Sequence, residues 1–235
     1  MTIELTAPTK WSELTLEQFR QVVDTMFLHL TDAERLLCLF CIMTGVKITG
    51  TEEDGSKTWF VTADGQGFSL DAGRLAYLCK RQQWLLDPPT GIVPNPTNLD
   101  DYLRDISFGD WFETDIHFRL YEDDGDLSHF NFILPKMKET VRPLTQSEAE
   151  VYHIWWNSVM GQLAPMYPNM FAKSGSGGER NPFKTLQEIH LLLNDDRPQD
   201  NEKIDDSRLH DVLSALDSKI EKLKRREAEY NKIHS

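Results

Sequence analysis

The same helix-opening signal occurs three times in this chain: Thr15 with Gln18, Thr31 with Glu34, and Thr145 with Glu148. In such a capping box the threonine hydroxyl accepts the backbone N–H three residues on. The longer side chain reaches back to the threonine's own N–H, so two orphan donors of the first turn are satisfied at once. After Thr15 the apolar residues Leu16, Phe19, Val22, Val23, Met26, Phe27 and Leu30 recur at spacings of three and four, which predicts one stripe on one helix. After Thr31, Leu36, Leu37, Leu39, Phe40, Ile42 and Met43 leave almost no polar face, so that helix must be covered on most sides. Gly45 suits its C-terminal end, where a left-handed residue is needed. The two helices predict an αα-hairpin with a very short link. The third box predicts a helix carrying Val151, Tyr152, Trp155, Val159, Met160 and Leu163, ended at Tyr167-Pro168.

Between the boxes the period changes. Val46, Ile48, then Trp59-Phe60-Val61, then Phe68 and Leu70 are short β-prone runs, with Asp54-Gly55 and Asp64-Gly65 between them as turns. They predict an antiparallel β-meander near 46–70. Asp71 can cap a further helix with Leu75, Ala76, Leu78, Cys79, Trp84 and Leu85 inward, stopped by Pro88-Pro89. Residues 87–100 hold Pro94 and Pro96 besides that pair and predict an extended loop. Ser107 predicts a helix with Trp111, Phe112, Ile116 and Leu120, against a competing strand in which Ile116, Phe118 and Leu120 alternate. Asp123-Asp124-Gly125-Asp126 is a turn, and Leu127, Phe130, Ile133, Leu134 and Met137 follow it at helical spacing, disturbed by Pro135.

Ser174-Gly175-Ser176-Gly177-Gly178 has the composition of a flexible linker. Asn181-Pro182 then opens a short helix with Phe183, Leu186, Ile189 and Leu193. A polar stretch, Asn194–Asp206, precedes a long helix near 207–233. The expected fold is therefore mainly α (α+β). It has an N-terminal arm over 1–13, a main helical domain over 14–172 with the meander inside it, a linker over 173–181, and a helical appendage over 182–235.

In the last helix Leu209, Val212, Leu213, Leu216, Ile220, Leu223 and Tyr230 make a narrow apolar seam between charged flanks. Such a helix requires a partner surface, either its own domain, a second copy, or another protein. Leu209, Val212, Leu216, Ile220, Leu223 and Tyr230 are accordingly the candidate partner-binding residues. If the segment is a separate appendage, a chain ending at residue 180 should stay folded and lose its partner. The cluster Lys219, Lys222, Lys224, Arg225 and Arg226 offers a nucleic-acid patch as an alternative. Interleaved Glu221, Glu227 and Glu229 favour a solvated face with ion pairs instead.

Charge bears on that choice. Against 25 Lys and Arg stand 38 Asp and Glu, a net charge of −13, which disfavours the counterion displacement that a nucleic-acid footprint requires. The longest apolar run, Leu36–Met43, falls far short of the roughly 18 residues of a membrane span. The opening residues lack a basic start and apolar core, so a cytoplasmic location is expected.

Residues that could carry chemistry have plainer readings beside them. Cys38-x-x-Cys41 sits inside an apolar helix rather than at a helix N-terminus, where a thiol would be activated, so core packing is favoured. The glycines at 174–178 lack the G-K-[ST] ending and preceding strand of a phosphate loop. The acidic turns 52–55 and 123–126 lack the ligand spacing of a calcium loop. His117 and His129 can meet across the 123–126 turn, but with few acids nearby a metal role is disfavoured. No cofactor, metal ligand set or catalytic set is expected. An enzyme assembled from sequence-distant residues remains the alternative class.

Several segments together resemble particle-assembly proteins of phages and prophages, of the tail-assembly-chaperone or minor structural kind. These are Lys10-Trp11-Ser12-Glu13-Leu14-Thr15-Leu16-Glu17-Gln18 before two helices, Ile106-Ser107-Phe108-Gly109-Asp110-Trp111, Val151-Tyr152-His153-Ile154-Trp155-Trp156, Tyr167-Pro168-Asn169-Met170-Phe171, and Thr185-Leu186-Gln187-Glu188-Ile189 before a charged helix. The resemblance implies a non-enzymatic role in binding another protein, in the cytoplasm of a bacterial host or within a phage particle.

Overall fold

All three capping boxes close as the residues dictate. The backbone N–H of Gln18, Glu34 and Glu148 donates to Thr15, Thr31 and Thr145 Oγ1 at 3.1, 3.3 and 3.2 Å. The threonine N–H donates back at 3.0, 2.8 and 2.8 Å. The computed structural model describes residues 5–51, 58–63, 65–89, 91–99, 101–171, 182–194 and 200–234. The elements are α1 (Leu16–Met26), α2 (Asp32–Thr44), β1 (Lys47–Thr51), β2 (Thr58–Ala63), β3 (Gln66–Asp71), α3 (Ala72–Lys80), α4 (Tyr102–Asp105), α5 (Phe108–Asp124), α6 (Phe130–Lys136), α7 (Gln146–Met166), α8 (Pro182–Asn194), α9 (Asn201–Asp205) and α10 (Leu209–His234). The fold is mainly α with a small antiparallel sheet, as the sequence predicts. The turn at Asp54-Gly55, Asp64 and the glycine-rich segment lie outside the described residues.

The chain packs as two units, 1–96 with 145–158 and 97–144 with 159–235. In the first, α1 and α2 form the hairpin, and Gly45 ends α2 at φ 68°. The sheet order is β1-β2-β3, with Ile48 opposite Val61 and Val61 opposite Phe68. Alternation puts Val61 and Ala63 against Phe40 of α2 and Leu75 and Cys79 of α3, with Ile48, Trp59, Phe68 and Leu70 around them. Phe60 faces the other way and is exposed. The expected arm over 1–13 is not merely extended. Trp11–Glu13 form a 3-10 turn, and Trp11 is buried edge-on to Phe19 and Trp84. Ser158 of α7 holds the proline-rich loop by donating to Gly91 O at 2.8 Å and accepting from Val93 N at 3.3 Å.

In the second unit, Ser107 caps α5 through Asp110 N, which decides the helix-or-strand alternative in favour of the helix. Its buried residues include Phe108, Trp111, Phe112, Phe118 and Tyr121, whereas Leu120 is exposed. Phe118 and Tyr121 meet Phe130 of α6 edge-on at centroid distances of 5.8 and 5.1 Å.

The packing does not follow a division into a main domain of 14–172 and an appendage of 182–235. A short antiparallel bridge joins the start of α10 to the start of α5: Phe108 N donates to Ser207 O at 2.9 Å, and Leu209 N donates to Ile106 O at 3.2 Å. The stretch 194–206, expected as a polar spacer, contains α9. Gly109 allows α9 to approach α5, since a Cβ there would lie 3.0 Å from Asp205 Cβ and 3.2 Å from Asp205 O. His190 Nε2 of α8 lies 2.7 Å from Asp205 Oδ1. Ending the chain at residue 180 would therefore remove part of this unit's core rather than a separate appendage.

Candidate functional site

The seam of α10 divides along its length. Leu209, Val212, Leu213 and Leu216 are buried in the second unit, Ile220 is half-buried, and Leu223 and Tyr230 are 47% and 62% exposed. The same period of three and four thus starts in a core and ends at the surface. Asp217 marks the change. Its carboxylate accepts from Asn169 N at 2.7 Å, Met170 N at 3.0 Å and Asn169 Nδ2 at 3.2 Å, tying α10 to the chain just after α7. Burial pulls its pKa upward, but the bonds from Met170 and Asn169 outweigh that and leave it below the ordinary aspartate value. Lys224 Nζ reaches Asn169 Oδ1 at 3.3 Å, and Tyr167 Oη lies 2.5 Å from His210 Nδ1. From Glu221 to Lys232 every residue of the helix is exposed. Of the six candidate partner-binding residues, Leu209, Val212 and Leu216 are spent on the protein's own core. Ile220, Leu223 and Tyr230 remain within reach of a second surface.

Of the basic cluster, Lys222, Lys224, Arg225 and Arg226 lie on this exposed half and Lys219 is half-buried; Arg225 Nε approaches Glu229 Oε1 at 4.0 Å. At such exposure the pair adds little to stability.

Two other groupings hold polar side chains together. His117 of α5 and His129, just before α6, do meet as their placement across the turn suggests. Their Nδ1 atoms are 3.3 Å apart, and His129 Nε2 is 3.1 Å from Asp124 Oδ2. His117 stacks flat on Phe132 at 4.4 Å. Burial, helped by the neighbouring His129, lowers the His117 pKa. An open depression of about 550 Å³ is lined by Thr6, Ala7, Pro8, Glu13, Gln18 and residues 42–45. Its ionisable lining residue, Glu13, is taken up by Thr9 N at 2.9 Å and Thr9 Oγ1 at 3.1 Å, and Gln18 by its capping box. No acid and base converge there on a common point, as a reacting centre would require.

Cys38 and Cys41 sit half-buried inside α2. Burial, reinforced by Cys38, raises the Cys41 thiol, and burial, reinforced by Cys41, pushes Cys79 up to about 11. Both are thus held as unreactive thiols at neutral pH. Among the described residues no three His, Cys, Asp or Glu side chains gather to hold a metal ion, and no helix is long and apolar enough to cross a membrane. Among the described residues, the apolar seam of α10 is thus one that starts in the core and ends exposed. No family model, curated protein or solved structure matches the chain.

Proposed function

We propose that this protein is a non-enzymatic interaction factor that binds another protein through the distal half of α10. Its setting is phage or prophage particle assembly, in the bacterial cytoplasm or in the particle itself. The observation that carries the binding surface is the divided seam: Leu223 and Tyr230 continue a stripe whose first half is core, yet remain 47% and 62% exposed. Singly exposed apolar residues are ordinary on a folded surface; the support here comes from their position, since they extend at helical spacing a stripe that begins in the core. The assembly setting rests on the likeness of residues 10–18, 106–111, 151–156, 167–171 and 185–189 to particle-assembly proteins.

Co-expression with the products of the flanking genes tests both parts. Flanking genes for a tail tube and a tape-measure protein would support the setting. Capture of one such product by the wild-type chain, abolished in the double variant Leu223→Asp/Tyr230→Ser, would support the surface. Equal capture by the folded variant would remove the surface from consideration. Flanking genes with no link to particle assembly would remove the setting.

A further inference from the structure

We infer that His117 and His129 form a two-nitrogen chelate for a divalent transition-metal ion such as Zn(II), with water completing the coordination. The separation of the ligands carries the inference. Two imidazole nitrogens about 2.0–2.1 Å from a tetrahedral ion lie roughly 3.3–3.4 Å apart, and the two Nδ1 atoms are 3.3 Å apart. An ion can enter between them once the proton the nitrogens share passes, through water, to His117 Nε2, which frees both Nδ1 lone pairs for the metal with no net loss of a proton.

The surroundings fix the orientation that ligation needs. Asp124 Oδ2 lies 3.1 Å from His129 Nε2. An N–H at Nε2 donating to that carboxylate leaves the Nδ1 lone pair turned toward His117. This is the carboxylate–histidine–metal arrangement, in which the outer carboxylate sets the tautomer and raises the ligand's basicity. Asp124 is itself held, because its Oδ1 accepts Asp126 N at 2.7 Å. His117 is held by flat stacking on Phe132 of α6. Each histidine therefore stands on a defined element rather than a loose tip: one is in the body of α5, and the other is in the 3-10 turn Leu127–His129. The nearby cation Lys136 is matched by Asp110 at 2.6 Å and Glu113 at 2.8 Å, so its charge does not stand unopposed beside the ion. With only two protein nitrogens the site keeps open positions, which water or a further ligand would fill.

The full chain titrated with Zn(II) by calorimetry, and with Co(II) by visible absorption, tests the chelate. One equivalent should bind, with the intense bands of tetrahedral Co(II). His117→Ala and His129→Ala should each abolish that equivalent, and Asp124→Asn should weaken it by about 10–100-fold. His29→Ala should leave it unchanged. Should an alanine variant unfold, imidazole nitrogen NMR of the wild-type chain gives the answer directly, since Zn(II) must shift the Nδ1 signals of both residues. Binding that persists in the folded double variant, or Nδ1 signals that do not move, would leave the pair as a hydrogen bond and overturn the inference.

Discussion

Asp217 illustrates how one carboxylate can decide where a helix stops belonging to its core. It accepts three N–H donors from Asn169 and Met170, and hydrogen bonds to a charged group contribute more than neutral ones. Asp217→Asn removes the charge and turns one acceptor into a donor facing donors. The expected cost is about 1–3 kcal/mol, read from urea unfolding of the full chain. The sign with pH follows from the direction of the shift. The folded-state pKa is lowered, so this stabilisation is fully present above the ordinary aspartate value of about 3.9. It is lost as pH falls through the lower folded value. The difference in stability between wild type and Asp217→Asn should therefore shrink below about pH 4, and a difference that grows in acid would contradict this account. Gly109 carries a second prediction. Gly109→Ala gains helix propensity but places its Cβ 3.0 Å from Asp205 Cβ. Crowding should outweigh propensity and cost about 1–3 kcal/mol, again by denaturant unfolding. A stabilised variant would mean that α9 yields freely.

Among the elements, α10 shows how much the sequence discloses and where it stops. The periodic seam, its start near 207 and the capping boxes of α1, α2 and α7 can all be read from residues three and four apart, because they are local. Gly45 at the end of α2 is equally local. Which half of the seam is buried depends on the bridge between residues 106–108 and 207–209, a pairing of distant backbone that no side-chain pattern announces. For the same reason no sequence pattern announces α9: Asn201–Asp205 is short and polar, and it is held by its approach to Gly109 and by His190 rather than by its own propensity. In α5 the aromatic residues together with Ile116 and Leu120 nearly encircle the helix, so periodicity alone does not single out Phe118 and Tyr121 over Leu120. The meeting of His117 and His129 was legible from the turn between them, whereas their ring spacing and the role of Asp124 were not. The divided seam predicts a sharp contrast between two substitutions of the same residue type. Leu213→Ala should cost about 2–5 kcal/mol. Leu223→Ala should fall within about 0.5 kcal/mol of wild type. Thermal or urea denaturation of both variants checks this, and similar losses at the two positions would refute the division.

Across the molecule, apolar and aromatic residues are largely consumed in packing: in the first unit α2, α3 and the sheet share one buried cluster, and in the second α5, α6 and the first half of α10 bury theirs. The seam beyond Asp217 is the stretch of exposed surface that the helix pattern marks out. From Glu221 to Lys232 every residue is exposed, and a short helical segment with so little burial is marginal in water, so it should open locally while the rest of the protein stays closed. Amide hydrogen exchange along α10, measured on the full chain by itself, tests this most directly. Protection comparable to that of α5 is expected over Leu209–Leu216, falling steeply from Glu221 to Lys232. Uniform slow exchange from Leu209 to Lys232 would show that the distal half already has its partner within the protein, and no free seam would be left to bind another.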